Sequence, residues 1–371
     1  MSSSVTVRSG VTAVVKVGTS SITSESGELD DAALAKLCGE VATARERGHT
    51  VVLVCSGAIA AGLPALGLTE RPADIGTLQA IAAVGQPKLM ERIGGILERH
   101  GLVAGQVLLT PHDFGYRAQY LHARETLGRL LAMGVVPVVN ENDTVADDEI
   151  RYGDNDRLAA LVSHLVDADV LVLLTDTAGL FTADPHLDAE ASLIEEIVEV
   201  DVAMEAVAGA SASVRGSGGM ASKLAAAKIA AWSGVRVVIA SARTDDVVLD
   251  AVEGRSVGTA VRPRSERLPS RKLWIAFARG AAGRVVVDAG ARRALCDEGR
   301  SLLPAGVRRI EGAFDADDAV EVVGEDGAPF AKGLVRYSSD ALSRAAGKRT
   351  DQLADGSPHE VIHRDDLVVL S

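Results

Sequence analysis

Val11-Thr12-Ala13-Val14-Val15-Lys16-Val17 is apolar with almost no alternation and stops in Gly18-Thr19-Ser20. A strand with one wet face alternates apolar and polar residues, whereas one that is apolar along its length is buried on both faces, as in a parallel sheet covered by helices. Runs of the same kind follow at Thr50–Cys55, Val103–Leu109, Val135–Val139, Asp169–Thr175 and Val235–Ala240, each separated by helix-like sequence. The spacing predicts helices over Asp30–Arg47, Thr77–Ala83, Pro87–Arg99, Tyr116–Met133, Asp156–Val166 and Lys223–Trp232, with Gly48, Gly134 and Gly234 as C-terminal stops. Such βα alternation gives an α/β fold with a mostly parallel central sheet.

Composition points the same way. The chain has 371 residues, 47% hydrophobic and only 3% aromatic, so Val, Leu, Ile and Ala must build the core. A net charge of −13 argues against a general attraction to nucleic acid or anionic membrane, and any anion site has to be local. Cys38, Cys55 and Cys296 lie far apart with no C-x-x-C, which excludes a disulfide framework and a cysteine zinc site. Met1–Gly10 lacks the apolar core of a signal peptide, and no apolar run approaches the roughly 20 residues of a membrane span. A cytoplasmic protein is expected.

Arg262–Arg271, with two prolines and little but charge, breaks the pattern. The expected organisation is therefore an α/β domain over 1–262, a linker over 263–282 and a small mostly-β domain over 283–371. In that last domain the β-like pieces are Arg284–Asp288, Val320–Val323, Ala331–Val335 and Asp366–Leu370.

Ligands of such open sheets bind beyond the carboxyl ends of the strands. Lys16 and Gly18-Thr19-Ser20 follow the first run, and Ser56-Gly57 leads from the second into a helix of small residues. Asn140-Glu141-Asn142-Asp143 follows the fourth, Asn155-Asp156 opens the next helix, and Thr175-Asp176 ends the fifth. Ser217-Gly218-Gly219-Met220-Ala221-Ser222-Lys223 starts a helix with bare backbone and a lysine, an anion site that matches neither the Walker pattern nor G-x-G-x-x-G. Lys16 and Lys223 with Asp156 between them would suit phosphoryl transfer: the lysines stabilise spreading charge and the aspartate fixes them. A carboxylate acceptor, already ionised at neutral pH, needs no general base. No histidine occurs in these strand-end motifs; His112, His122 and His164 stand singly, and Cys55 reads as core.

These stretches resemble the glutamate 5-kinase branch of the amino acid kinase family over the whole chain. The resemblance is carried by Val14–Ser21, Val54–Gly62, Ala82–Gln86, Pro137–Ala146, Gly153–Asp156, Leu173–Pro185 and Gly216–Ala227. It implies a three-layer αβα sandwich and ATP-dependent phosphorylation of the γ-carboxylate of L-glutamate, the first step of proline synthesis. Lys16, Lys223 and Asp156 resemble the catalytic residues. Lys16, Gly18, Thr175, Asp176 and the 217–223 loop (Ser217, Gly218, Gly219, Met220, Ala221, Ser222, Lys223) resemble the ATP contacts, and Ser56, Asp143 and Asn155 the glutamate contacts. Mg²⁺ is expected on the ATP phosphates rather than on protein ligands. The resemblance also implies proline as an inhibitor and a homo-oligomer, dimer or tetramer. From about Gly283 the tail is similar to PUA domains, marked by Ser301–Val307, Arg336–Leu342 and Val361–Leu370. Ser217 stands where the family commonly has threonine, and Arg151-Tyr152 departs from the residues usual before the GDND motif.

The rivals are a kinase of the same fold acting on another acid, since fold does not fix substrate, and an RNA-binding protein. Against the second, residues 283–371 carry 12 Lys and Arg against 16 Asp and Glu, although Arg292, Arg293, Arg308 and Arg309 could form a local patch.

Overall fold

A computed structural model describes residues 10–24, 26–145, 154–183, 188, 190–200, 204, 219–353 and 356–370. They fall into two units, Met1–Arg267 and Leu268–Ser371. In the first, the strands are β1 (Thr12–Val17), β2 (Thr50–Cys55), β3 (Ala104–Leu109), β4 (Val136–Glu141), β5 (Val170–Thr175), β6 (Glu196–Ile197), β7 (Arg236–Ser241) and β8 (Thr259–Val261). They form one sheet in the order β3-β4-β2-β1-β5-β7-β8-β6. Every pairing is parallel except that of β8 with β7. The chain thus winds outward from β1 to one side and returns to build the other, which puts the change of direction beside β1. β6, β8 and the helix Val247–Glu253 are absent from the sequence expectation, being too short to leave a periodic signal.

β1 and β5 are buried along their whole length. Ala13, Val15 and Val17 belong to the core under helices Asp31–Glu46, Ile75–Arg99 and Val247–Glu253. Because side chains alternate along a strand, Val14 and Lys16 face the opposite layer, made by helices Asp154–Leu165 and Met220–Trp232. This is the αβα sandwich. Gly48, Gly134 and Gly234 end their helices with positive φ, and the next residue's N–H closes back on the last turn.

The clearest difference from expectation lies at Pro87. Two helices were expected either side of Pro87, and the structure has a single helix, Ile75–Arg99. Ala83, Val84, Pro87 and Lys88 are all exposed, so the carbonyl that loses its N–H partner to the proline ring can bond water instead.

The second unit is a five-stranded sheet ordered β10-β9-β11-β12-β13, from β9 (Gly283–Val287), β10 (Val307–Gly312), β11 (Ala319–Val323), β12 (Pro329–Leu334) and β13 (Leu367–Val369). β10 escaped the sequence reading because Arg308, Arg309 and Glu311 interrupt its apolar pattern. The stretch expected as a linker, 263–282, is structured from Ser270: a helix, Ser270–Leu273, runs into a π-helical turn, Trp274–Ala278, burying Leu273 and Ile275. Lys332 donates to the carbonyls of Ala276 and Arg279, which fixes that turn onto β12. No helix among the described residues is long and apolar enough to cross a membrane.

Candidate active site

The carboxyl ends of β1, β2, β4 and β5 meet the amino ends of two helices from the layer that Lys16 faces. Lys16 is the penultimate residue of β1 and Asp156 lies in the first turn of Asp154–Leu165. Lys223 lies in the first turn of Met220–Trp232. Lys16 Nζ is 2.7 Å from Asp156 Oδ1, and Lys223 Nζ is 3.3 Å from Oδ2. Ser222 Oγ donates to the same Oδ2 at 2.8 Å. All three charged side chains are buried, Asp156 completely.

Burial alone would raise the Asp156 pKa, but the ammonium groups of Lys16 and Lys223 outweigh it and hold the carboxyl below its usual range. Burial lowers the Lys223 pKa, with Asp156 opposing. Two ammonium groups share one carboxylate, so the triad carries an excess positive charge in a dry place. Asp176 also acts on Lys223, but it is exposed and its field is screened by water.

Bare backbone borders the triad. Among the described residues, helix Met220–Trp232 starts at Gly219 with no side-chain cap, and nothing lies within 4 Å of where a Cβ on Gly219 would be. The turn Thr19–Ser21 follows Gly18, and a Cβ on Gly18 would sit 3.5 Å from Lys16 Nζ. The ammonium therefore lies over bare backbone. Thr175 closes β5 and its hydroxyl donates to Asp176 Oδ1 at 3.0 Å. Of the expected nucleotide contacts, Ser217 and Gly218 lie outside the described residues, as do Arg151 and Tyr152.

The other side of the triad is made of amides. Gly57, with φ +113°, takes a conformation that disfavours any side chain and turns the chain from β2 into helix Ala58–Ala65, leaving Ser56 at the strand end. Asn155 Nδ2 donates to Ser56 Oγ at 2.8 Å and to Asn140 Oδ1 at 3.0 Å. Both amide hydrogens of Asn155 are thereby spent inside the protein, and its Oδ1 is buried with no hydrogen-bond donor. Ser56 Oγ accepts from Asn155 and so keeps its own hydrogen to give. Asp143 stands in the turn Asp143–Val145 after β4, and no bond joins it to Ser56 or Asn155. Burial pushes its carboxyl up to about 6, with the Arg71 guanidinium pulling the other way.

The sequence reading passed over Asn140, Gln86 and Arg71. Asn140 and Gln86 sit inside motifs it quoted, but only as neutral amides, a residue type that carries no signal without its partners. Among the described residues no group of three His, Cys, Asp or Glu side chains could hold a metal ion. Cys55 is buried core with its thiol pushed far up by burial. His164, at the far end of helix Asp154–Leu165, is buried beside Tyr120.

Comparison with known proteins agrees with this geometry. The amino acid kinase family profile matches residues 11–241, and the PUA domain profile residues 283–356. A glutamate 5-kinase of Thioalkalivibrio sulfidiphilus is 48% identical over 96% of this chain and 96% of its own. Those of Moorella thermoacetica and Pelobacter propionicus are 45% and 44% identical over the same 96% of this chain. Among solved structures, carbamate kinase from Giardia lamblia bound to AMP-PNP superimposes with a TM-score of 0.51 at 16% identity, covering 70% of this chain and all of that one. At that identity the likeness is one of fold.

Proposed function

The chain belongs to the amino acid kinase family, and within it to the glutamate 5-kinases; from that premise we propose how its residues phosphorylate glutamate. The observation that carries the reading is the buried Lys16–Asp156–Lys223 triad with its surplus positive charge, set between a bare helix start and a row of amides. A γ-carboxylate oxygen of L-glutamate attacks the γ-phosphorus of ATP, the bond to the β,γ-bridging oxygen breaks, and γ-glutamyl phosphate and ADP result. No proton moves, because the attacking carboxylate is already ionised at neutral pH.

Lys16 and the Gly18 turn hold the ATP phosphates, while Lys223 follows the charge that builds on the transferring group. Asp156 keeps both ammonium groups in place and offsets part of their repulsion. Mg²⁺, when bound, would be held mainly by the ATP phosphates and would neutralise charge between them. Gly219–Lys223 and Thr175-Asp176 border the nucleotide, and Ser217-Gly218, outside the described residues, belong to the same assignment. On the acceptor side, the unpaired Asn155 Oδ1 and the Asp143 carboxylate suit an α-ammonium, and the free Ser56 hydrogen suits an α-carboxylate.

Proline presents the same ammonium and carboxylate with no γ-carboxylate, so it occupies this pocket without reacting. Function in a homo-oligomer and in the cytoplasm completes the proposal. RNA binding is no part of it: Arg292, Arg308 and Arg309 are each paired with an acid, Asp326, Asp288 and Glu311. The test is hydroxamate trapping of the acyl phosphate with glutamate, aspartate, acetylglutamate and carbamate, alongside ADP release with UMP. Glutamate should dominate, and a stronger response to another acceptor would overturn the substrate assignment.

A further inference from the structure

We propose that Gln86 is a positioning residue that fixes which way the Asn140 and Asn155 amides face, and through them the affinity for the acceptor. This rests on the assignment of Asn155 to the acceptor pocket. Asn140 Nδ2 donates to Gln86 Oε1 at 2.8 Å, and Gln86 Nε2 donates to Gln106 Oε1 at 3.1 Å. Asn140 Oδ1 is then left to accept from Asn155 Nδ2 and from the Glu141 N–H. The chain of amides has one direction. Each side chain gives its hydrogen toward Gln106, so Asn155 must spend its NH₂ inward and turn its Oδ1 to the acceptor side, where it finds no donor among the described residues.

A primary amide can rotate by half a turn and present the opposite pole with nearly the same shape, so packing alone does not choose between the two orientations. Gln86 does so, together with the Glu141 N–H that donates to Asn140 Oδ1, by offering Asn140 an acceptor rather than a donor. It is held there firmly: a Cβ on Gly85 would lie 1.8 Å from the Ala58 carbonyl oxygen, and one on Gly62 2.2 Å from that of Ile81. Helices Ile75–Arg99 and Ala58–Ala65 therefore touch backbone to backbone, next to Ser56. Gln86 and Asn140 are both buried, so water does not compete for the choice.

The test compares Gln86→Met, which removes the acceptor, with Gln86→Glu, which keeps it, in the full chain with folding checked by thermal melting. Gln86→Met should raise KM for glutamate by about tenfold, with KM for ATP within twofold of wild type, because one buried hydrogen-bond partner is lost on one side of the site only. Gln86→Glu should restore KM for glutamate to within about threefold, since a carboxylate still accepts from Asn140. If Gln86→Met does not fold, Gln86→Lys, of similar reach but able only to donate, supplies the same contrast. Equal impairment in the acceptor-keeping and acceptor-lacking variants, or an unchanged KM for glutamate in both, would overturn the proposal. A wild-type enzyme that fails to phosphorylate glutamate would instead refute the functional reading beneath it.

Discussion

Lys16 Nζ stands 2.7 Å from Asp156 Oδ1 with both side chains closed to water, and the second oxygen of the same carboxylate serves Lys223. A buried carboxylate between two ammonium groups is hard to remove. Asp156→Asn keeps the shape and leaves two like charges facing each other, a loss of about 3 kcal/mol or more in stability. The variant should melt at lower temperature and lose most of kcat. ATP should restore more stability to it than to the wild type, because the phosphates supply the missing negative charge. A variant with wild-type kcat would remove Asp156 from the machinery.

Lys223→Met removes a charge that matters most when the phosphoryl group is in transit. Loss of one such contact in a dry site is worth on the order of 3 kcal/mol, roughly a hundredfold in rate. We expect kcat to fall by that factor while KM for ATP changes little. Steady-state kinetics decide it: a large rise in KM with kcat preserved would make Lys223 a ground-state binder.

Much of this site could be read before the fold was known, for a physical reason. Lys16 ends an otherwise apolar strand, and a charge in that position has to be paid for by function, so it stands out in the sequence. Asp156 and Lys223 open helices, where sequence signals are strong. What could not be read depends on partners far apart in the chain. Asn140 gains its meaning from Gln86 and Asn155, and no periodicity joins those three positions. Pro87 misled the helix boundary because its exposure is a tertiary fact. Arg264 and Arg267 read as connector charges until their contacts with Trp232, Glu199 and Asp167 are seen.

Asp143 gives the acceptor site a pH signature. Burial raises its pKa to about 6, so the folded apo-protein favours the protonated form below that pH and bears the cost of an ionised carboxylate above it. The α-ammonium of glutamate requires the ionised form. KM for glutamate should therefore rise about tenfold per pH unit below pH 6, while KM for ATP stays level. Asp143→Asn should raise KM at neutral pH, flatten its pH dependence, and increase the apo melting temperature at pH 8 but not at pH 4. An acid limb that persists in the variant would assign the titration elsewhere.

His164 sets a limit on acid stability. Its ring is buried with neither nitrogen hydrogen-bonded, and burial lowers its pKa from 6.5 to about 4, with Arg267 adding to the effect. The unfolded chain thus binds a proton between pH 6.5 and 4 that the folded chain refuses. Stability present above pH 6.5 is lost as the pH falls through this window, by about 3 kcal/mol in all. Denaturant melts of wild type and His164→Leu at pH 7 and pH 4.5 should show the variant losing less. Identical losses would mean that other groups govern the acid transition.

The cut between the two units tests where the catalytic unit ends. Every residue assigned to the triad and the acceptor pocket precedes Arg267, so a fragment of residues 1–267 should keep most of kcat. Its last residues are not a passive tail. Arg264 lies 3.9 Å from the centre of the Trp232 ring, pairs with Glu199 and donates its N–H to Ala231, while Arg267 pairs with Asp167 at 2.7 Å. Trp232 closes the helix whose first turn carries Lys223, so these contacts brace the far end of a catalytic element. A cation over an indole and a backbone hydrogen bond together are worth about 1 to 3 kcal/mol. A fragment ending at residue 263 should therefore melt several degrees below one ending at 267, with kcat per folded molecule similar in the two. Equal melting temperatures would show that the arginines contribute nothing; loss of activity in both folded fragments would show that Leu268–Ser371 takes part in catalysis.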